Sequence, residues 1–261
     1  MGLSTDRGGK GAPLLVLLHG LGATREVWGP MAGRVEAAWP GRWMAPDLPG
    51  HGRSEAIQDY APAIQAAHVA DLVRAEGAEG EVVVVGHSMG GVVALTLAGG
   101  AQGLRPARVF GLGIKVAWTQ TELEAMSARA AVPPKIFATR AEAIDRYLKV
   151  SGLAGLATAD SPTAQAGIVR TDDGWRLAVD PRANGVGAPD MPALMAAATA
   201  PIHLASGGAD ALSGLADLRR WDPDAEALPG LGHNAMIEEP DAVWSWIADR
   251  IGSHVASRPG G

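Results

Sequence analysis

The sequence predicts an α/β domain with a mostly parallel central sheet flanked by helices. Short apolar runs, typical of strands buried on both faces, recur along the chain and end in turns rich in glycine and proline. Segments with helical spacing of apolar residues separate several of these runs, and such alternation is typical of parallel sheets. The chain has 261 residues, 47% of them hydrophobic, which is enough for one large domain.

Composition excludes several classes of protein. There are 28 acidic and 22 basic residues, a net charge of −6, so no basic surface for nucleic acid is expected. The absence of cysteine excludes disulfides, thiolate catalysis and cysteine-ligated metals. Residues 1–11 lack the apolar core of a signal peptide, and no apolar stretch approaches the roughly 20 residues of a membrane span. We therefore expect a soluble, cytoplasmic protein that binds no membrane; nothing in the sequence indicates an oligomeric state.

The first half of the chain supplies three predicted strands and two helices. Residues 14–18 and 43–45 are apolar runs followed by turn residues, and four consecutive valines occupy residues 82–85. An apolar segment after the third strand, residues 92–97, is expected to be helical. A further helix is predicted over residues 64–75, ending before a glycine. Its apolar stripe consists of Ile64, Ala67, His68, Leu72 and Ala75.

The second half supplies three further strand candidates and a closing helix. The strands are predicted at residues 109–112, 202–205 and 225–228, and the helix at residues 242–251. The long gap between the first two of these strands distinguishes this half from the first.

Residues 115–198 break the alternation of strand and helix. Residues 122–131 and 141–150 are predicted to be helical, and residues 152–192 are rich in Gly, Ala, Pro and Asp. A segment of this length between two sheet strands is typical of a lid. We therefore predict a core formed by residues 1–114 and 199–261, with residues 115–198 as a cap.

The hexapeptide Gly-His-Ser-Met-Gly-Gly at residues 86–91 joins the valine strand to an apolar helix. A serine in such a strand-turn-helix setting is held with its hydroxyl exposed, and glycines on either side leave room for the tight turn. Glycine-rich turns also bind phosphate, but the Gly-Lys-Ser/Thr ending of a phosphate loop is missing. Ser88 is therefore predicted to be a nucleophile.

A serine nucleophile needs a base within hydrogen-bond reach, and the chain offers seven histidines. His233 lies in a turn-rich loop between the last predicted strand and the closing helix, where its side chain can reach the carboxyl edge of the sheet. His87 is adjacent to Ser88 and is expected to point away from it, whereas His203 lies within a strand. We therefore predict His233 as the base. The seven histidines of the chain are His19, His51, His68, His87, His203, His233 and His254.

The base in turn needs an orienting acid. Asp210 follows the strand at residues 202–205 through a glycine-containing turn, which places it at the same carboxyl edge. The alternatives Asp217, Asp222 and Asp224 do not directly follow a strand. Asp210 is the predicted acid.

The chain order Ser88, Asp210, His233 resembles the triad of the α/β-hydrolase family. His-Gly-Leu-Gly at residues 19–22 resembles the family's oxyanion loop, which implies an oxyanion hole formed by the backbone N–H groups of Leu21 and Met89. Residues 47–54 resemble the family's Asp-x-Pro-Gly-x-Gly-x-Ser stretch and are expected to be structural.

The resemblance implies a serine hydrolase that cleaves small to medium carboxylic esters, with lactones as a further substrate class. Carbon-carbon bond hydrolysis on the same fold and a non-catalytic ligand-binding protein are the alternatives. No cofactor or metal is expected, since no His-x-x-x-His pair of ligand spacing occurs. Seven large residues are candidates for the substrate pocket: Trp28, Trp118, Met126, Phe137, Tyr147, Leu148 and Trp175.

Overall fold

A computed structural model describes residues 2–77, 80–100 and 103–255 of the chain, with side chains up to residue 252. Over these residues the backbone forms a central sheet of seven strands and a separate two-stranded sheet. The central strands are β1 (Thr5–Gly9), β2 (Leu14–Leu18), β3 (Arg42–Pro46), β4 (Val82–His87), β5 (Arg108–Leu112), β8 (Ile202–Gly207) and β9 (Glu226–Leu228). The small sheet pairs β6 (Ile168–Thr171) with β7 (Gly174–Leu177).

The central sheet is parallel except at one edge, as predicted. Its spatial order is β1-β3-β2-β4-β5-β8-β9, and β1 is the antiparallel member, paired with β3. All six predicted strands are present, which confirms the fold class. Strand β1 was not predicted because its sequence, Thr-Asp-Arg-Gly-Gly, has no apolar alternation. Its place in the sheet depends on backbone pairing with β3 rather than on buried side chains.

Helices cover both faces of the sheet. They are α1 (Gly29–Ala38), α2 (Pro62–Ala75), α3 (Met89–Ala98), α4 (Gln120–Ala130), α5 (Arg140–Val150), α6 (Pro162–Ala166), α7 (Met191–Ala197), α8 (Leu215–Leu218), α9 (Ala235–Glu238) and α10 (Pro240–Val255). Two short 3-10 helices span Arg25–Trp28 and Pro181–Val186.

The buried face of α2 differs from the predicted stripe. Ile64 is 41% exposed and His68 is partly exposed, so neither is a core residue. Small residues on α2 allow it to pack closely against α3, and the many alanines of this helix give no hydrophobic contrast from which its face could be predicted. The residues that α2 buries are Gln65, Ala66, Val69, Ala70 and Val73.

Strand β2 illustrates how the core is divided. All five of its residues are buried, and they alternate between two apolar clusters on opposite faces of the sheet. Leu15 and Leu17 face a cluster with residues of α1 and α10, whereas Leu14 and Leu18 face one with residues of α2 and α3. Burial on both faces explains the continuous apolar runs of the central strands.

The segment 115–198 lies between β5 and β8 and contributes no strand to the central sheet. It contains helices α4 to α7, the β6-β7 hairpin and the second 3-10 helix. Helices α4 and α5 both begin with a Thr-x-x-Glu capping box, at Thr119 and Thr139. They differ in burial, since α5 buries three side chains and α4 buries none.

Candidate active site

Ser88 lies at a strained turn between β4 and α3. Its φ and ψ angles are 50° and −116°, and it is the one non-glycine residue with positive φ in the described part of the chain. Such a conformation costs on the order of 1–3 kcal/mol and typically marks a functional position. The turn places Ser88 at the carboxyl edge of the sheet and at the N-terminus of α3.

The glycines around Ser88 are required by close packing of backbone on backbone. A Cβ atom at Gly86 would overlap the carbonyl group of Gly90, and one at Gly90 would overlap the carbonyl oxygens of Leu18 and His19. Because backbone atoms cannot rotate away, no side chain fits at either position. The structure thus confirms that the tight turn leaves no room for a side chain at Gly86 or Gly90.

Asp210 and His233 form a direct pair. His233 Nδ1 lies 2.9 Å from Asp210 Oδ2, and the Asp210 side chain is fully buried. The second carboxylate oxygen accepts the backbone N–H groups of Leu212 at 2.8 Å and Ser213 at 3.2 Å. These bonds fix the carboxylate, which in turn holds the proton of His233 on Nδ1 and leaves Nε2 as the basic nitrogen.

His87 supports the loop that carries His233. Its Nε2 donates to the backbone carbonyl of His233 at 2.9 Å, and the two ring centroids are 4.6 Å apart. Burial and the neighbouring His233 lower the pKa of His87 well below its ordinary value, so its ring is neutral. Sequence spacing gave no sign of this contact because the two histidines are 146 residues apart.

Ser88 lies close to the Asp210–His233 pair through Gly113. The Ser88 N–H donates to Leu112 O at 2.9 Å, and a Cβ on the next residue, Gly113, would lie 3.4 Å from both Asp210 Oδ2 and His233 Nδ1. Among the described residues the Ser88 hydroxyl has no hydrogen-bond partner, so it is not bonded to His233 here. Hydrogen bonds of this kind often tighten only when substrate binds.

The loop His19–Gly22 lies over Ser88 and is fixed by its first residue. His19 is fully buried; its Nδ1 donates to Gly20 O at 2.8 Å, and the Leu48 N–H donates to its Nε2 at 2.9 Å. Burial lowers the pKa of His19 to about 4, which keeps Nε2 free to accept. A Cβ at Gly20 would lie 3.2 Å from Ser88 Cβ.

Leu21 and Met89 are the residues predicted to supply oxyanion donors. Both residues line the same cavity as Ser88. Within the described part of the chain, neither of their backbone N–H groups donates a hydrogen bond. Met89 is also the first residue of α3, where N–H groups lack intrahelical partners and the helix dipole favours negative charge.

Residues 47–54 support this loop, and residues 47–51 are buried. Asp47 is ion-paired with Arg25 and accepts the backbone N–H groups of Arg25 at 2.9 Å and Arg53 at 3.0 Å. The buried ring of His51 lies 5.1 Å from that of His19, and burial lowers the pKa of His51 to about 3.

A cavity lined by Ser88 opens at the carboxyl edge of the sheet. Two of the predicted pocket residues, Trp118 and Met126, line it. Phe137, Tyr147 and Trp28 were wrong candidates because they are buried in the apolar core, against which Leu148 and Trp175 also pack. The residues that line the cavity are Leu21, Pro62, Ser88, Met89, Val92, Lys115, Trp118, Met126, Val186, Gly187 and Pro189.

Comparison with known proteins identifies the family. The sequence profile of the alpha/beta hydrolase family matches residues 15–246. The chain belongs to this family. The match includes the turn at Ser88, both residues of the Asp210–His233 pair and the loop at residues 19–22.

Relatives of this alpha/beta hydrolase include proteins named as esterases. An esterase of Mycobacterium tuberculosis is 38% identical over 99 residues, which is 37% of this chain and 31% of that protein. The pimeloyl-[acyl-carrier protein] methyl ester esterase of Proteus mirabilis is 34% identical over 90 residues, 34% of this chain and 32% of that protein. The matched segments thus span about a third of these relatives.

A solved structure shows the same fold over nearly the whole hydrolase. E-2-(acetamidomethylene)succinate hydrolase superposes with a TM-score of 0.78, covers 96% of both chains and is 23% identical. At this identity the likeness concerns the fold, and it extends over the segment 115–198 as well as the central sheet.

Asn234 connects the loop of His233 to the segment 115–198. It is the residue after His233 and is buried, and its Nδ2 donates to the carbonyl oxygens of Ser151 at 3.2 Å and Gly152 at 3.1 Å. Those carbonyls lie at the end of α5. The loop of His233 and the end of α5 are therefore joined directly.

Two features are absent from the described residues. No group of three or more His, Asp or Glu side chains there is arranged to hold a metal ion. In the same residues, no helix combines the length and apolar character needed to cross a membrane.

Proposed function

We propose that this protein is a serine esterase that cleaves small to medium carboxylic esters through an acyl-enzyme on Ser88. The observation that carries the proposal is the 2.9 Å contact between His233 Nδ1 and Asp210 Oδ2 beside a strained, cavity-lining serine. A base oriented by a buried acid, next to an exposed hydroxyl, is the arrangement that serine acyl transfer requires.

In the first step, Ser88 Oγ attacks the ester carbonyl carbon while His233 Nε2 removes the hydroxyl proton. The Asp210 carboxylate stabilises the imidazolium that forms. Collapse of the tetrahedral intermediate expels the alcohol oxygen, which takes the proton from His233. In the second step, water gives a proton to His233, attacks the acyl carbon and releases the carboxylic acid and the Ser88 hydroxyl.

The negative charge on the carbonyl oxygen develops beside the N–H groups of Leu21 and Met89. Preorganised donors of this kind lower the barrier, and loss of one donor typically costs about 3 kcal/mol. His19 contributes by fixing the loop that carries Leu21.

The cavity suits an ester with an apolar acyl chain, because apolar side chains form most of its wall. We assign the segment 115–198 the role of a cap, because it supplies part of the cavity wall, including Trp118, Met126 and Val186. Lactones can enter by the same chemistry. The names of the two esterase relatives agree with this reaction class.

Replacement of Ser88 tests the proposal. We expect Ser88→Ala to reduce kcat on p-nitrophenyl butyrate by about 10⁴-fold or more, since the nucleophile is lost. Ser127→Ala, on the exposed face of α4, is the matched control and should retain full activity. A fluorophosphonate probe should label the wild type and the control, but not Ser88→Ala. Full activity of Ser88→Ala, or a folded wild-type protein that neither labels nor turns over, would contradict the proposal.

A further inference from the structure

Lys115 is a charged residue in an otherwise uncharged cavity wall. Of the described residues that line the cavity with Ser88, it is the one that carries a charge. It lies two residues beyond Gly113 at the carboxyl end of β5, and its side chain is only 16% exposed. A cation in an apolar wall is costly unless it has a partner, so its contacts indicate what it can bind.

The Lys115 ammonium has one hydrogen-bond partner among the described residues. Its Nζ lies 2.5 Å from Glu122 Oε1 and 5.0 Å from the centre of the Trp118 ring. The Trp118 Nε1–H donates to Lys115 O at 2.9 Å, which holds the ring against the lysine. An ammonium group has three donors, so two remain for a ligand in the cavity.

Glu122 accepts hydrogen bonds from Thr119 as well as from Lys115. Its Oε2 accepts the backbone N–H of Thr119 at 2.9 Å and the Thr119 hydroxyl at 3.0 Å, as part of the capping box of α4. The side chain is 42% exposed to solvent. The bonds from Lys115 and Thr119 lower the pKa of Glu122 to about 2, so it stays ionised. A second carboxylate can therefore bind Lys115 without leaving Glu122 unsatisfied.

We propose that Lys115 selects esters whose acyl chain carries a carboxylate. This inference rests on the proposed function, because the acyl group is the part that stays bonded to Ser88 in this cavity. The methylenes of the acyl chain pack against apolar residues such as Val92 and Met126, and the terminal carboxylate accepts hydrogen bonds from Lys115 Nζ. Charge-assisted bonds of this kind are strengthened where water is excluded.

A pair of matched substrates tests the selection. We compare kcat/KM for mono-p-nitrophenyl adipate and p-nitrophenyl hexanoate, which have the same chain length and differ in the terminal carboxylate. Lys115→Met should lower the adipate-to-hexanoate ratio by about tenfold or more, mainly through KM. Lys149→Met, on the exposed face of α5, is the control and should leave the ratio unchanged.

Glu122→Gln separates selection from a structural role. Glutamine can keep the capping box, but it removes the charge that competes for Lys115. The adipate-to-hexanoate ratio should rise about threefold relative to the wild type, on the charge-pair magnitudes seen at partly exposed sites. If the ion pair only stabilises α4, both variants will increase amide exchange in α4 and leave the ratio of the two substrates unchanged, which overturns the inference.

A binding measurement keeps the inference distinct from the proposed esterase activity. Calorimetry on Ser88→Ala with monoethyl adipate and ethyl hexanoate needs no turnover. Tighter binding of the anionic ester, lost in the Lys115→Met/Ser88→Ala double variant, supports the role of Lys115 even if the wild type hydrolyses neither ester. Equal binding of both esters, or a preference that survives Lys115→Met, overturns it.

Discussion

The central sheet and helix α4 are held in place by different forces. Strands β2 and β4 bury every one of their residues, and the junction of β4 and α3 tolerates no side chain at Gly86 or Gly90. Helix α4 buries no residue, and its order depends on a capping box and on packing against the 3-10 helix at Pro181–Val186. The proposed nucleophile thus lies on the rigid side of the cavity, and part of the substrate wall lies on the weakly held side.

The segment 115–198 also contains both a part that is well anchored to the core and a part that is not. Its later part is joined to the core by backbone hydrogen bonds, from Gly52 N–H to Ala178 O at 2.7 Å and from Asp180 N–H to Gly50 O at 2.8 Å. Helix α5 buries Ala143, Ile144 and Tyr147 in the core. The boundary between rigid and weakly held structure therefore lies within the segment 115–198, between α4 and α5.

The largest expected difference between the two regions is in catalysis. Asp210→Asn should reduce kcat by about 10⁴-fold, because an amide no longer holds the required tautomer of His233. Asp190→Asn, the same substitution at the N-cap of α7 in the segment 115–198, should leave kcat unchanged, since Asn also caps helices well. Steady-state kinetics on p-nitrophenyl butyrate measures both. Equal losses in the two variants would show that Asp210 has no special role.

Between pH 6.5 and 5, acid should destabilise the core and spare the segment 115–198, which contains no histidine. His51 is buried with its pKa lowered to about 3, so below pH 6.5 the unfolded chain binds a proton that the folded chain does not. Its stabilising contribution is present at pH 7 and is lost as the pH falls from 6.5 towards 3, by about 1.4 kcal/mol per pH unit.

His51→Asn measures that contribution. Asparagine retains a donor for Pro49 O but does not titrate, so the dependence of unfolding free energy on pH should become shallower by that amount. Urea unfolding at pH 7, 6 and 5 provides the test, and amide exchange in α4, corrected for its intrinsic pH dependence, should show no matching change. An unaltered slope in His51→Asn would mean that His51 titrates normally in the folded protein.

A pair of glycine substitutions compares packing in the two regions. Gly90→Ala should lower the free energy of unfolding by about 1–3 kcal/mol, since the new Cβ overlaps backbone carbonyl groups. At Gly185, in the segment 115–198, a Cβ would lie 3.5 Å from Ala130 Cβ, an ordinary contact. Gly185→Ala should change stability by less than about 0.5 kcal/mol. Denaturant unfolding of both variants is the measurement, and a tolerated Gly90→Ala would contradict the tight turn.

The smallest expected effect distinguishes α4 from α5. Thr139→Ala removes the cap of a helix that is packed on the core, and it should lower global stability by about 1 kcal/mol. Thr119→Ala removes the equivalent cap of α4 and should increase amide exchange in α4 with no change in Tm. If Thr119→Ala lowers Tm as much as Thr139→Ala does, α4 unfolds together with the core.

The sequence predicted the sheet well because its central strands are buried on both faces, and β2 and β4 therefore appear as unbroken apolar runs. The dependence of such predictions on buried apolar residues also explains why β1 and the buried face of α2 were not predicted. Strand β1 buries little, and α2 is rich in alanine, so neither has the hydrophobic contrast on which such predictions depend.

The sequence placed the candidate residues well where each one lies in a turn that directly follows a strand. Ser88, Asp210 and His233 each follow a strand in a recognisable turn, and the structure brings the last two into contact. His87 and Lys115 were not identified, because their roles depend on what lies opposite them after folding. Phe137 was taken for a pocket residue because an aromatic side chain looks the same in sequence whether it faces a substrate or the core.

The two hydrogen bonds from Asn234 to the end of α5 have a consequence for evolution and engineering. A lineage that exchanged the whole segment 115–198 would lose the two hydrogen bonds that hold the loop of His233 to α5. A change in specificity would then also disturb the position of the His233 side chain. Replacement of α4 alone leaves these two hydrogen bonds intact. Libraries that diversify residues 118–130 should therefore yield altered substrate preference with the catalytic edge preserved, which makes α4 the natural unit of exchange in this protein.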